Sequence, residues 1–198
     1  MKKKWKIFML IAIIMSMVQV APIQAATAKE IYVKYLYQNY EQIRESCFQI
    51  EPKFKIMNVD GKGTLELLVM TDGDFYGTNT ITVYTIKKST VKKVGQISNY
   101  ELYYNKKNKT LIEYSPMISF GDQYVQYFAK SLTNEKMKTK YRCKEAYYSK
   151  NNQHKYWVGT SLKKCRKETY TGYYKKYIKS AKKYNMTILN YSNLNIIV

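Results

Sequence analysis

The sequence predicts an α+β fold, a single antiparallel β-meander of about seven or eight strands with an N-terminal and a C-terminal helix packed on it. Three observations predict it. Apolar residues recur at helical spacing at both ends of the chain. Between residues 53 and 160, short runs rich in tyrosine, threonine and valine recur with a beat of roughly ten residues. Each run is closed by polar turn residues, so neighbours connect locally and antiparallel.

The first 26 residues read as a targeting segment. Lys2, Lys3, Lys4 and Lys6 form a cationic start, and Ile7 to Val20 is apolar except for Ser16 and Gln19. Pro22 breaks the run, and Gln24-Ala25-Ala26 supplies the small residues that a signal peptidase accepts, so cleavage is expected after Ala25 or Ala26. The run is roughly 14 residues, short of the about 20 that cross a bilayer, so no stable transmembrane segment is expected after cleavage. Residues 27–198 then form one secreted domain of about 170 residues, long enough to bury its own core.

That domain opens on a helix. Thr27 and Glu30 have capping-box spacing, and Ile31, Tyr35, Leu36, Tyr40 and Ile43 follow as an apolar stripe. The expected strands are Phe54–Asn58, Leu65–Thr71, Thr80–Ile86, Val91–Ile97, Leu102–Asn105, Thr110–Tyr114, Gln123–Lys130, Lys136–Tyr148 and His154–Thr160. A second helix carries Tyr170, Tyr173, Tyr174, Tyr177, Ile178 and Ala181 on one face with lysines between them. A tyrosine face suits packing on a sheet better than insertion into lipid. The tail from Thr187 can add a last strand.

Composition restricts the chemistry. Net charge is +20, of which the leader lysines contribute four. The remaining lysines are spread along the chain, and a field of that size attracts polyanions. An odd cysteine count cannot pair fully. Cys143 and Cys165 are the candidates for a bridge, and Cys47 reads as a buried free thiol. His154 is the only histidine, which excludes multi-histidine metal sites. It follows Asn151-Asn152-Gln153 and reads as an exposed turn residue rather than the base of a catalytic pair. Gly61 and Gly63 lack the third glycine and following helix of a nucleotide fingerprint. No catalytic residue is nominated.

The stretch Asn58-Val59-Asp60-Gly61-Lys62-Gly63-Thr64-Leu65-Glu66-Leu67-Leu68-Val69 resembles the D-x-[DN]-G-D-G-x-x-[DE] loop of FG-GAP/VCBS-type repeats. It is also similar to a class of secreted clostridial proteins with one F-x-x-x-D-x-[DN]-G-D-G-x-x-E-L-[IL]-V segment between an N-terminal helix and a tyrosine-rich meander. The resemblance implies an extracellular or surface protein. It also implies a calcium ligand set of Asn58, Asp60, the Thr64 carbonyl and Glu66. Two departures weaken that site. Asn58 is neutral, and Lys62 brings a positive charge in place of an oxygen. The reading is a relic loop in which the Lys62 ammonium replaces the cation. No cofactor is expected; weak Ca2+ binding is the alternative, with Asp72 and Asp74 approaching the same end of the sheet.

The remaining signal is tyrosine interleaved with lysine. A ligand-binding face is expected from Tyr141, Lys144, Tyr147, Tyr148, Tyr156, Trp157, Tyr170, Tyr173, Lys175 and Lys176. Such a face holds a polyanion by charge and stacking. The preferred reading is a secreted, envelope-associated, non-enzymatic binder of an anionic cell-wall polymer or acidic glycan, with no specific nucleic-acid partner. Two alternatives belong to other classes. One is a secreted hydrolase or calcium-dependent surface module using the Asp60–Asp74 acidic cluster. The other is a docking or inhibitor protein for another surface protein.

Overall fold

The computed structural model describes residues 28–73, 77–119 and 121–196. The expected leader, the expected cap residue Thr27 and Asp74 lie outside them. A first helix, α1, covers residues 28–38 and continues past Asn39 into α2, Tyr40–Glu45. The Asn39 side-chain amide donates to the Tyr35 carbonyl at 2.8 Å, and this backbone-directed bond marks the break between the two. The buried stripe of α1 is Tyr32, Val33 and Leu36. It is rotated from the expected one, since Ile31 and Tyr35 are only half-buried.

Among the described residues, twelve antiparallel strands form two sheets. Sheet A contains β1 (Lys53–Met57), β2 (Glu66–Thr71), β3 (Asn79–Lys87) and β4 (Thr90–Asn99), with the short β12 (Thr187–Ile188) beside β1. Sheet B runs in the order β10-β9-β8-β7-β6-β5-β11. Its strands are β5 (Tyr103–Asn105), β6 (Thr110–Ser119), β7 (Asp122–Thr133), β8 (Lys136–Tyr148), β9 (Gln153–Val158), β10 (Lys163–Cys165) and β11 (Lys182–Lys183). The α+β class therefore holds, but the expected single meander does not: there are two meanders, divided after β4.

The division has a physical cause. Strand β2 is buried along both of its faces, so a sheet containing it needs a cover on each side. Leu67 and Val69, with Phe54 of β1, point to α1 and form an outer core with Tyr32, Leu36, Leu189 and Leu194. Leu68 and Met70, with Ile81, Val83 and Ile97, meet Tyr104, Leu111 and Leu132 of sheet B in a central core. Asn99 anchors the crossing between sheets. Its amide donates to the Ile112 carbonyl at 2.8 Å, and its oxygen accepts the Tyr100 N–H at 2.8 Å. The backbones approach closely at Gly95, where a Cβ would meet the Met137 side chain at 2.5 Å.

The far face of sheet B is covered by α3 (Lys167–Tyr174) and the π-helical turn Lys175–Lys179 that continues it. Here the expected stripe is as read. Tyr170, Tyr173, Tyr174, Ile178 and Ala181 pack with Ile112, Ala129 and Cys143. Tyr177 stacks on Tyr141 with ring centroids 3.8 Å apart. Layers thus run helix, sheet A, sheet B, helix. The tail forms β12 and then α4 (Tyr191–Asn195), which Asn190 caps by accepting the Asn193 N–H at 2.8 Å. No helix among the described residues is long and apolar enough to cross a membrane.

Candidate functional site

The Gly-rich loop spends its oxygens internally. The Asn58 side chain accepts the Gly61 N–H at 2.5 Å, and Asp60 accepts the Lys62 N–H at 2.8 Å. Glu66 is 1% exposed and accepts the Val59 N–H at 2.7 Å, while the Tyr104 hydroxyl donates to the Val59 carbonyl at 2.9 Å. The Val59 peptide is held on both sides and its side chain sits in the central core. Burial raises the Glu66 pKa to about 7, with the nearby Asp60 charge adding to the rise against the Val59 and Asp60 N–H donors. A second lysine, Lys109, lies on the loop. Its Cε and Nζ lie 2.5 Å from where a Cβ of Gly61 would be, and the positive φ of Gly61 demands glycine in any case.

Asp72 does not join that loop. It lies at the far end of β2 from Glu66, about 20 Å away for a strand of that length. There its carboxylate accepts N–H groups of Phe48, of Gln49 at 2.7 Å and of Ile50 at 3.0 Å, tying the exit of α2 to sheet A. Burial pulls its pKa up, and the three donors together outweigh that and leave it below the usual value. Among the described residues, no group of three His, Cys, Asp or Glu side chains is placed to hold a metal ion.

All three cysteines are free, and the buried one is Cys143 rather than Cys47. Cys143 pairs with Val158 across β9, and Cys165 pairs with Tyr156 on the other side of that strand. Two strand spacings, about 9–10 Å, exceed the reach of a disulfide. Burial, with Cys165 and Glu145 nearby, pushes the Cys143 thiol up to about 12, so it is inert as a nucleophile. His154 is exposed, as expected, with Nδ1 at 3.0 Å from Glu145 Oε1.

Strand alternation divides the expected tyrosine–lysine face in two. Tyr141, Tyr147 and Tyr156 point to the helix side of sheet B. Tyr156 packs on Tyr170 at 5.1 Å, and Tyr141 lies 6.4 Å from Tyr173, so these rings build the helix-side core. Lys175 and Lys176 are exposed on the π-helical turn, the Lys176 ammonium 5.1 Å from the centre of the Tyr177 ring that stacks on Tyr141. The other three, Lys144, Tyr148 and Trp157, point to the opposite face.

Among the described residues, sheet A covers that opposite face where Leu111, Leu132 and Met137 enter the central core. Beyond it, across β7 to β10, side chains stand in rows set by the register: Phe128 with Arg142, then Gln126, Lys144, Trp157 and Lys164. Tyr124, Phe128, Tyr148 and Trp157 belong to none of the three cores. Cations stand between the rings. The Lys144 ammonium is 4.7 Å from the Tyr124 ring centre and 5.1 Å from that of Trp157. Lys155 is 4.4 Å from Tyr148, and Arg142 is 4.9 Å from Phe128. Arg142 also donates to Gln126 Oε1 through Nε at 3.2 Å and Nη2 at 2.6 Å, which fixes its guanidinium in plane.

The acids of this face are engaged. Glu113 pairs with Lys130, and Asp122 accepts the Ser149 N–H and hydroxyl. What remains is a flat, half-buried array of four rings and several uncompensated cations. It can stack on planar or pyranose rings and neutralise anions at the same time. Arg142, Lys155, Tyr124 and Phe128 were absent from the sequence expectation. Counting every second residue through β7, β8 and β9 is the signal that would have found them. No protein-family model matches this chain, and neither a curated protein nor a solved structure matches it.

Proposed function

We propose that the protein is a secreted, non-enzymatic binding protein of the cell envelope that holds an anionic polymer of ring-bearing units, an acidic glycan, on the open face of sheet B. The observation that carries this reading is Lys144 set between the Tyr124 and Trp157 rings, with Arg142 and Lys155 on the flanking rows. Rings take the apolar faces of sugar units, and the ammonium and guanidinium groups take the carboxylates or sulfates between them. The net charge of +20, less the four leader lysines, leaves +16 on the secreted chain, which draws such a polymer in from a distance.

The test is calorimetric titration with an oligogalacturonate and with a neutral glucan of matched length. The oligogalacturonate should bind with an affinity that falls steeply with salt. Trp157→Ala and Lys144→Gln should each weaken it about tenfold, a loss of roughly 1.4 kcal/mol. Equal binding of the neutral glucan, or wild-type affinity in both variants, sinks the reading.

A further inference from the structure

A cavity of about 700 Å³ opens where β5, β11 and the π-helical turn meet, at the opposite edge of sheet B from β9 and β10. Four lysines from three elements line it: Lys106 and Lys107 from the β5–β6 turn, Lys176 from the π-helical turn and Lys182 from β11. No carboxylate lines it, and none of the four lysines enters an ion pair among the described residues. The polar groups beneath are already satisfied. Asn105 donates to the Ser180 hydroxyl at 2.7 Å and accepts the Asn108 N–H at 3.1 Å, and Ser180 donates to the Lys176 carbonyl at 2.7 Å. The Tyr104 hydroxyl is committed to Val59. The Lys176 ammonium lies 5.1 Å from the Tyr177 ring centre, a contact that leaves its charge uncompensated, so the four lysine charges are left to meet a ligand.

A second groove of about 440 Å³ adjoins it and shares Asn108. Lys62, Lys109, Lys138 and Lys140 line this one, opposed by the single carboxylate Asp60. Like charges gathered around one depression repel each other, and an anion of high charge density relieves that repulsion.

We infer that the larger cavity binds a phosphate-rich anion, two or more phosphate groups linked in series, with the adjoining groove receiving the next groups of a longer chain. Three features select phosphate over carboxylate. Four cations around one cavity need several negative charges in a small volume, which consecutive phosphates supply and single carboxylates spaced by sugar rings do not. The cations are all lysines, point charges that suit tetrahedral phosphate oxygens without bidentate geometry. The cavity's rings, Tyr104 and Tyr184, meet each other edge-on at 5.8 Å instead of forming an open stacking surface. This site is separate from the face that holds Trp157, so either can fail without the other.

The experiment is calorimetric titration of the cleaved chain with inorganic tripolyphosphate, with a glycerol-phosphate polymer and with oligogalacturonate. Two double variants are compared, Lys107→Gln with Lys182→Gln, and Lys106→Gln with Lys176→Gln. All four lysines are exposed, and thermal melts of each variant confirm that it folds. Tripolyphosphate should bind, and each folded double variant should lose at least about tenfold in affinity. Trp157→Ala should leave its affinity unchanged. Binding of the polymer through the same lysines identifies a phosphodiester chain as the source; binding of tripolyphosphate alone identifies a free oligophosphate. Wild-type affinity in the double variants, an equal loss in Trp157→Ala, or preference for oligogalacturonate at these lysines overturns the inference.

Discussion

At the scale of single residues, Glu66 decides how stability depends on pH. Its carboxyl is enclosed between the sheets and braces the Val59 peptide, and its pKa rises from 4.5 to about 7 because burial disfavours the charged form. The native state therefore holds the proton more tightly than the unfolded chain. Between about pH 4.5 and 7 the unfolded chain has released it while the native state has not, so this group's contribution to stability falls as pH rises. Asp72 has the opposite sense and acts below that window, where its depressed pKa makes stability fall as pH falls. Glu66→Gln keeps an acceptor for the Val59 N–H and removes the titration. Urea midpoints at about pH 5 and about pH 7.5 separate the two proteins. The wild type should lose more stability than the variant across that interval. An identical change in both would mean that Glu66 is not enclosed as described.

At the scale of elements, the parity of a strand decides what each tyrosine does. Tyr156 and Trp157 are neighbours in sequence, yet one packs under α3 and the other stands on the open face. Tyr156→Ala should cost at least about 2 kcal/mol of folding free energy. Trp157→Ala should cost about 1 kcal/mol or less while weakening glycan binding. Chemical denaturation of both variants checks the contrast, and equal losses would place both rings in one core. This parity also marks what the sequence could disclose. Most strand positions were legible from their β-branched and aromatic runs, and the α3 stripe was legible from its period. The pairing that places Arg142 beside Phe128 was not, because it is set by the β7–β8 register rather than by either strand alone. The two-sheet division had a local trace in Leu67-Leu68-Val69-Met70, where four successive apolar residues need cover on both faces. Strands β10 and β11 are too short to show a pattern, and the place of β12 beside β1, unlike its start at Thr187, follows from contacts made elsewhere in the chain.

At the scale of the molecule, the C-terminal segment joins the two sheets. After the π-helical turn, β11 pairs with β5 at the edge of sheet B, and the Tyr184 N–H donates to the Leu102 carbonyl at 2.8 Å. Three residues past Tyr184, β12 begins its pairing with β1 at the edge of sheet A, and the Leu189 N–H donates to the Pro52 carbonyl at 2.7 Å. Tyr184 and Met186, between those pairings, pack against the central core. Leu189 and Leu194 then bury themselves beside α1, while Tyr191 meets Tyr40 with ring centroids 4.5 Å apart. One stretch of backbone thus closes an edge of each sheet and contributes to two cores, so loosening it exposes both. Leu189→Ala should cost about 2–5 kcal/mol, the range for emptying a fully buried leucine site. Trp157, the only tryptophan after the leader, reports on sheet B, whereas Leu189 packs in the outer core between sheet A and the helices that cover it. If the segment couples the sheets, Trp157 fluorescence and far-UV dichroism shift together to lower denaturant in the variant, as one cooperative transition. A Trp157 transition that stays in place while the dichroism splits would mean that sheet B unfolds on its own.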